Sequence, residues 1–274
     1  MNSTLNAHAE TDVGPLAIAD VMPPTFSVVV PTWCSAQLIY PLLESLAGQT
    51  GRDFEVVVSD GASTDGTVQA VETFRSRLPY LVIDSRTDSG IYDAINRGIG
   101  LARGRWILVM GADDQLAGCD VIERLRVIVQ GCEEQFVYGD IRVSGNTWTL
   151  PQGARYGGRF TLARILAQNI CQQSILYRRD IFRTLGPFNT RYPLCADWHF
   201  AIRVFNSLPT RWVDLVISVY DTTGSSSQAA DERFHSDFGR IIFNLFIERP
   251  LNLSLFLALL RRTYWRLVET AQRH

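Results

Sequence analysis

A continuous apolar run, Trp106 to Met110, leads through Gly111 and Ala112 onto two adjacent carboxylates, Asp113 and Asp114, and this junction constrains the fold more than any other stretch. Unbroken apolar character marks a strand covered on both faces, as in parallel sheets lying between helical layers. Upstream, Ile91, Ala94, Ile95, Ile99 and Ala102 recur at helical spacing after Asp88-Ser89-Gly90, and Gly104 stands where a left-handed residue would stop the helix. The expected order is loop, helix, tight turn, buried strand. Open α/β sheets collect ligands beyond the carboxyl ends of their strands, so Asp113 and Asp114 fall where a ligand would sit. Neighbouring carboxylates repel unless a cation lies between them, and oxygen-only ligands suit Mg²⁺ or Mn²⁺. A solvated turn is the bland alternative for an Asp-Asp pair. A second acidic strand end, earlier in the chain, weighs against it.

Phe26 to Val30 reads as the first buried strand, ended by Pro31-Thr32. Leu38, Leu42 and Leu46 then repeat at helical spacing with Gly48 as a stop, and Pro41 either kinks that helix or begins it. Phe54 to Val58 is the second buried strand and runs into Ser59-Asp60-Gly61-Ala62-Ser63-Thr64-Asp65-Gly66-Thr67, a polar loop whose Ser or Asp can cap the following helix with its face of Val68, Val71, Phe74 and Leu78. Leu81 to Ile83 gives a third strand. Two βα units with acidic loops amount to a Rossmann-like nucleotide-binding half-sheet. Neither GxGxxG nor GxxxxGK[ST] occurs, which counts against a dinucleotide enzyme and a P-loop kinase.

Three pieces in this order, Asp60-Gly61-x-Ser63-Thr64-Asp65-Gly66-Thr67, then Asp88-Ser89-Gly90-Ile91-Tyr92-Asp93-Ala94-Ile95-Asn96-Arg97-Gly98-Ile99, then Gly104-x-Trp106-Ile107 leading to Ala112-Asp113-Asp114, resemble family 2 glycosyltransferases of the GT-A fold. The match spans roughly residues 25 to 225. It implies an α/β fold with a mixed central sheet and an inverting transferase that takes a sugar from a nucleotide diphosphate donor. Carried over by position, Asp60 would bind the donor base with Pro31 and Thr32 in the same pocket. Asp113 and Asp114 would meet the donor ribose and a divalent metal, Mn²⁺ or Mg²⁺, and Asp88 and the 92–97 segment would line the pocket, with Arg97 where the family usually has Lys. The family often writes its acidic motif Asp-x-Asp, whose first position is Gly111 here. A metal also answers the charge arithmetic, because a departing diphosphate beside two carboxylates needs a compensating cation.

Further on, Cys119 to Val129 has helical periodicity, Phe136 to Asp140 reads as a strand, and Ile141 to Leu150 as a hairpin turning at Ser144-Gly145-Asn146. The glycine-rich stretch Gln152 to Arg159 is either a surface loop or a flap over bound donor. Asn169 to Arg179, then Gly186-Pro187-Phe188, then Ala196-Asp197-Trp198 resemble the family's His-Gln strand, Gly-x-Phe and lone-Asp helix, with Gln172 in place of His and Gln173 retained on the acceptor side. The resemblance makes Asp197 the general base that deprotonates the acceptor hydroxyl; otherwise Asp197 caps a helix through Phe200, Val204 and Phe205. Trp198 would stack on an acceptor sugar or pack in the core. His199 reads as structural. Trp212 to Tyr220 is a late strand followed by a Gly/Ser segment, Thr222 to Ser227.

Residues 1–24 read as a mobile leader, 25–225 as the transferase domain with its donor half at about 25–115 and acceptor half at about 116–225, and 226–274 as a helical extension. Formal net charge of −2 argues against a partner gripped by bulk charge, so no nucleic acid is expected. Five scattered cysteines without a CxxC pair fit a reducing, cytoplasmic setting, and residues 1–25 lack a signal-peptide pattern. The stretch from Leu251 to Arg266, apolar and then basic-aromatic, fits a helix on a membrane surface, on its own domain or on a second subunit as in a homodimer. The leading expectation is transfer from a UDP-sugar, by default, to a glycan or lipid-linked acceptor. The alternatives are a nucleotidyltransferase, which would need a basic glycine-rich loop after the first strand, and a non-catalytic scaffold with the same fold.

Overall fold

Every residue of β1 (Phe26–Thr32) and β2 (Phe54–Asp60) is buried, as continuous apolar strands require. A computed structural model of the chain describes residues 22–145, 151–221 and 230–248. The remaining elements in chain order are α1 (Tyr40–Ala47) between those strands, then α2 (Thr67–Glu72), β3 (Leu81–Ser85), α3 (Ile91–Leu101), β4 (Trp106–Val109), β5 (Gln115–Leu116), α4 (Val121–Val129), β6 (Phe136–Ser144), β7 (Arg155–Tyr156), α5 (Leu162–Ile165), β8 (Ile175–Arg178), α6 (Ile181–Leu185), α7 (Ala196–Ser207), β9 (Thr210–Asp221) and α8 (Glu232–Glu248).

Among the described residues the strands form one sheet in the order β3-β2-β1-β4-β8-β6-β9-β5, with β7 on β6. The first four are mutually parallel, and β8 enters antiparallel to β4, with Leu108 opposite Leu176. The half-sheet and mixed sheet expected from the sequence are therefore present. Side chains sort by parity: Val28, Val30, Val56, Val58, Trp106 and Leu108 face a core under α1, α2 and α4, while Val29, Val57, Ile107 and Val109 face a second core shared with α3, α7 and α8. The six valines of β1 and β2 are wholly buried, contributing on the order of 10 kcal/mol before chain entropy is subtracted.

Local chemistry decides the ends of these elements. Pro41 lies in the first turn of α1, so of the two readings at that residue the helix begins there. Gly104 does not adopt a left-handed conformation. A Cβ at that position would lie 2.6 Å from the Phe26 carbonyl carbon and the Ser27 nitrogen, so glycine serves close passage against β1, not helix termination. The strand expected over Phe136 to Asp140 runs on to Ser144 and pairs with Arg155 and Tyr156, so the return arm of that hairpin lies in the glycine-rich stretch. The turn residue Asn146, the Thr222 to Ser227 segment, the leader up to residue 21 and the stretch after Glu248 lie outside the described residues. Asp231 precedes α8 and ties it down: one carboxylate oxygen accepts the amides of Leu194 and Cys195, the other the amide of Phe234. Among the described residues no helix is long and apolar enough to cross a membrane.

Candidate active site

Parallel register puts the carboxyl ends of β2, β1 and β4 on one rim: Thr32 pairs with Asp60, and Val29 pairs with both Val57 and Val109. The loops after β1 and β2 are knitted together there. The Cys34 amide donates to Ser63 Oγ, the Ser35 amide to Thr67 Oγ1, and the Ala36 amide to Asp65. Asp60 anchors the knot and is fully buried. It accepts from Thr32 Oγ1 (2.9 Å), Ser63 N (2.9 Å), Ser63 Oγ (2.5 Å) and Ser85 Oγ (2.6 Å). Burial alone would push its carboxyl up, but the hydrogen bonds from Ser63, Ser85 and Thr32 outweigh burial and hold it below the ordinary range. Any ligand contact by that carboxylate has to displace or share one of these donors. Pro31 and Thr32 are buried beside it, while Trp33 is 73% exposed at the mouth of the knot.

Arg97 turns into the protein. Its guanidinium donates to Ser59 Oγ and the Asp60 carbonyl, and pairs with Asp84 at 2.8 Å and Asp88 at 3.9 Å. It brackets the end of β2 to α3. Asp88 accepts the Gly90 amide and stands over Gly61. Tyr92 and Asn96 of the 92–97 segment likewise face inward, Asn96 exchanging two hydrogen bonds with the backbone of Phe188 and Tyr92 being buried, whereas Asp93 accepts from Ser89 at the surface.

Beyond β4 the chain folds its two carboxylates back over Gly111. The Gly111 amide donates to Asp114 Oδ2 at 2.8 Å, and a Cβ on Gly111 would sit 2.7 Å from Asp113 Oδ1 and 3.0 Å from Asp114 Oδ2. Glycine at that place in the acidic motif thus has a steric reason. Asp114 is 1% exposed, and its Oδ1 is buried with no hydrogen-bond partner. Burial and the neighbouring Asp113 charge push its carboxyl up to about 8, against the Gly111 amide and the Gln173 side chain. Asp113, less buried, is also raised by burial, and Asp221 at the end of β9 adds negative charge near both. Such a group accepts a cation readily, since a bound divalent ion removes the cost of ionising it. Among the described residues no third His, Cys, Asp or Glu completes a metal cage with this pair, so remaining ligands would come from a substrate and water.

Antiparallel β8 begins at the same rim, and the residues that lead into it, 169–173, run along that rim. Gln173 contacts Asp114, Asn169 Nδ2 donates to Asp197 Oδ2 at 2.8 Å, and Cys171 between them feels both carboxylates. Burial and these two charges push the Cys171 thiol up to about 12. Four residue steps span at most roughly 14 Å, so the Cα atoms of Asn169 and Gln173, whose side chains meet the two carboxylates, lie no further apart than that. Asp197 sits in the first turn of α7, 7% exposed, and also accepts the Tyr92 hydroxyl at 2.6 Å. Burial pushes its carboxyl up, while the Tyr92 and Asn169 hydrogen bonds pull it down.

A family profile described as glycosyl transferase family 2 matches residues 27–186, which cover all three motifs and β8. The chain belongs to this family. A relative from Mycobacterium tuberculosis named PGL/p-HBAD biosynthesis glycosyltransferase is 39% identical over 245 residues, covering 87% of this chain and 91% of that protein. The GT-A fold is shared with the crystal structure of Staphylococcus aureus TarS 1-349 in complex with UDP, at TM-score 0.67 and 22% identity over 83% of this chain and 67% of that one. The mannosyltransferase PcManGT from Pyrobaculum calidifontis, in complex with GDP-Man and Mn²⁺, aligns at TM-score 0.55 and 20% identity over 83% and 64%.

Within this glycosyltransferase, Trp198 takes the packing role left open by its sequence. Its indole N–H donates to the Ile165 carbonyl and its ring lies 5.1 Å from that of Phe234. His199 packs its ring 5.0 Å from Tyr192, and burial holds its imidazole down at about 4, neutral at ordinary pH. Gln173, expected on the acceptor side, stands against Asp114. Asn169 and Asp221 carry no role of their own in the sequence, and Tyr92 enters it only within the 92–97 segment expected to line the pocket. Tyr92 stood inside a motif, and only its position one turn into α3, facing α7, distinguishes it. Asp221 lies at the end of a strand whose register with β5 carries it toward Asp113, since Gln115 pairs with Val219.

Proposed function

We propose that this family 2 glycosyltransferase is inverting, and moves a hexosyl group from a nucleoside diphosphate sugar to a hydroxyl of a glycan or lipid-linked acceptor. The observation that carries the reading is Asp114, buried at a strand end with an unpartnered oxygen and a raised carboxyl, on a strip that leads within four residues from Gln173 to Asn169 and Asp197. Asp113 and Asp114 would hold Mn²⁺ or Mg²⁺, which when bound offsets the charge growing on the departing diphosphate. Pro31, Thr32 and Asp60 form the base side of the pocket, with Ser63 or Ser85 yielding a hydrogen bond to the base, and Arg97 and Asp88 keep that rim rigid. Uridine is the favoured base, supported by UDP in the TarS complex. Asp197 takes the acceptor proton as the acceptor oxygen attacks the anomeric carbon on the face opposite the diphosphate, a single displacement that inverts configuration.

The Mycobacterium relative's name supports a biosynthetic role. Phe243 and Ile247, 60% and 66% exposed and four residues apart on α8, support peripheral contact of the C-terminal helices with the cytoplasmic face of a membrane, or with a second copy of the chain. The deciding experiment is a thermal-shift and hydrolysis panel of UDP-, GDP- and dTDP-sugars with and without Mn²⁺. Stabilisation by one nucleotide that deepens with Mn²⁺, and sugar release lost in Asp114→Ala, support the reading. No stabilisation by any nucleotide, with or without Mn²⁺, overturns it.

A further inference from the structure

Each of the two oxygens of Asp197 is met by an uncharged side-chain donor from a different part of the fold. Tyr92 reaches Oδ1 at 2.6 Å from the first turn of α3, and its hydroxyl lies 3.2 Å from the Leu194 carbonyl just ahead of α7. Asn169 reaches Oδ2 at 2.8 Å from the strip before β8. The phenol is itself buried and packs its ring 5.7 Å from Phe188, while the Phe188 backbone is clasped by Asn96 one turn further along α3. Tyr92 is therefore fixed at both ends, by ring packing and by hydroxyl. Asn169 presents its Nδ2 to Asp197 and leaves its Oδ1 buried without a partner, so its amide orientation is set by the carboxylate alone.

Resting on the reading of Asp197 as general base, we infer that Tyr92 and Asn169 are positioning residues that aim the carboxylate and keep it ionised, so that one lone pair on each oxygen stays open toward the acceptor. Two physical requirements meet here. A carboxylate this buried would otherwise bind a proton, and a protonated carboxyl cannot remove one. Burial leaves the carboxyl net raised, and donors that hydrogen-bond the charged form oppose this without a neighbouring cation, which an adjacent diphosphate would capture. The other groups around Asp197 cannot substitute. Cys171 and Cys195 are thiols pushed up to about 12, and Tyr177 is a buried phenol raised well above its ordinary value, so all are neutral and none is a cation. Tyr92 is likewise raised, by burial and by the Asp197 charge, and remains a donor across the working range.

The arrangement also couples the two halves of the domain. Tyr92 begins the helix that leads, through Arg97, to the end of β2, so the acceptor-side base takes its orientation from the element that braces the donor-side rim.

The test uses the full chain and the pH profile of kcat for transfer from the sugar nucleotide identified by thermal shift. Tyr92→Phe and Asn169→Leu each delete one donor and keep side-chain volume. Each is expected to move the acid limb of the profile up by about one pH unit, the size of one hydrogen bond to a charged acceptor. Donor KM should change less than twofold. The second variant stands in should the first fail to fold. Asp197→Asn tests the underlying reading separately: if it retains transfer, Asp197 is not the base and the inference falls with it. If Asp197→Asn is inactive while both donor deletions leave the acid limb in place and only scale the rate, the base stands and the positioning role is overturned.

Discussion

The Gly111 amide lies 2.8 Å from Asp114 Oδ2, inside a turn too tight for a side chain at residue 111. Replacing Gly111 with Ala places a methyl against the Asp113 and Asp114 carboxylates, which can swing but then leave the arrangement proposed to hold a cation. Gly111→Ala is expected to raise the Mn²⁺ concentration for half-maximal activity about tenfold, the usual cost of disturbing an outer contact of a metal ligand. Its melting temperature should move little. Activity titrations with Mn²⁺ and a thermal melt read the two effects separately.

Asp114 gives a pH signature of its own. Its carboxyl is raised from the ordinary value to about 8, so between about pH 4 and 8 the folded protein holds a proton that the unfolded chain has released. Stability from this group is present in full below the unfolded value and is lost as pH climbs through 8. Without metal, the melting temperature should fall from pH 6 to pH 8.5. The fall should shrink in Asp114→Asn and on adding Mn²⁺. A fall of equal size in the variant, as differential scanning fluorimetry would show, contradicts the assignment.

Asp197→Asn keeps the volume of the side chain and the hydrogen bond from Tyr92, but removes the group proposed as the base. Transfer should drop about a hundredfold to ten-thousandfold, while the thermal shift given by the nucleotide is retained. Loss of both together would mean that the substitution has unfolded the rim.

Gly104 predicts stability, not chemistry. A methyl there collides with the backbone of β1 at 2.6 Å, and neither strand nor turn can yield cheaply. Gly104→Ala should cost about 1–3 kcal/mol, the range for overpacking, seen as a lower midpoint in urea denaturation with unchanged slope.

The parts of the fold legible in the sequence were those written in periodicity. β1, β2, β4 and α3 stand where apolar runs and helical spacing put them, because strands buried on both faces and amphipathic helices leave one-dimensional traces. Two-residue strands leave none, and β5 and β7 emerge only through pairing with β9 and β6. Gly104 misled because a glycine after a helix reads as a cap, whereas its purpose here is contact with a strand about eighty residues away in sequence. In the site, residue types at strand ends brought Asp60, Asp113, Asp114 and Asp197 into view. Whether each faces a ligand or the protein depends on neighbours distant in sequence: Ser85 closes off part of Asp60, and Trp198 is claimed by Ile165 and Phe234.

Asp231 has a consequence for how much chain this enzyme needs. Its carboxylate is the acceptor for two amides immediately before Asp197 and for the first turn of α8. Trimming the polypeptide upstream of residue 231 would strip a lock from the segment that sets α7 in place. Asp231 and α8 thereby serve as a rear buttress behind Asp197, and removing them should be felt in turnover.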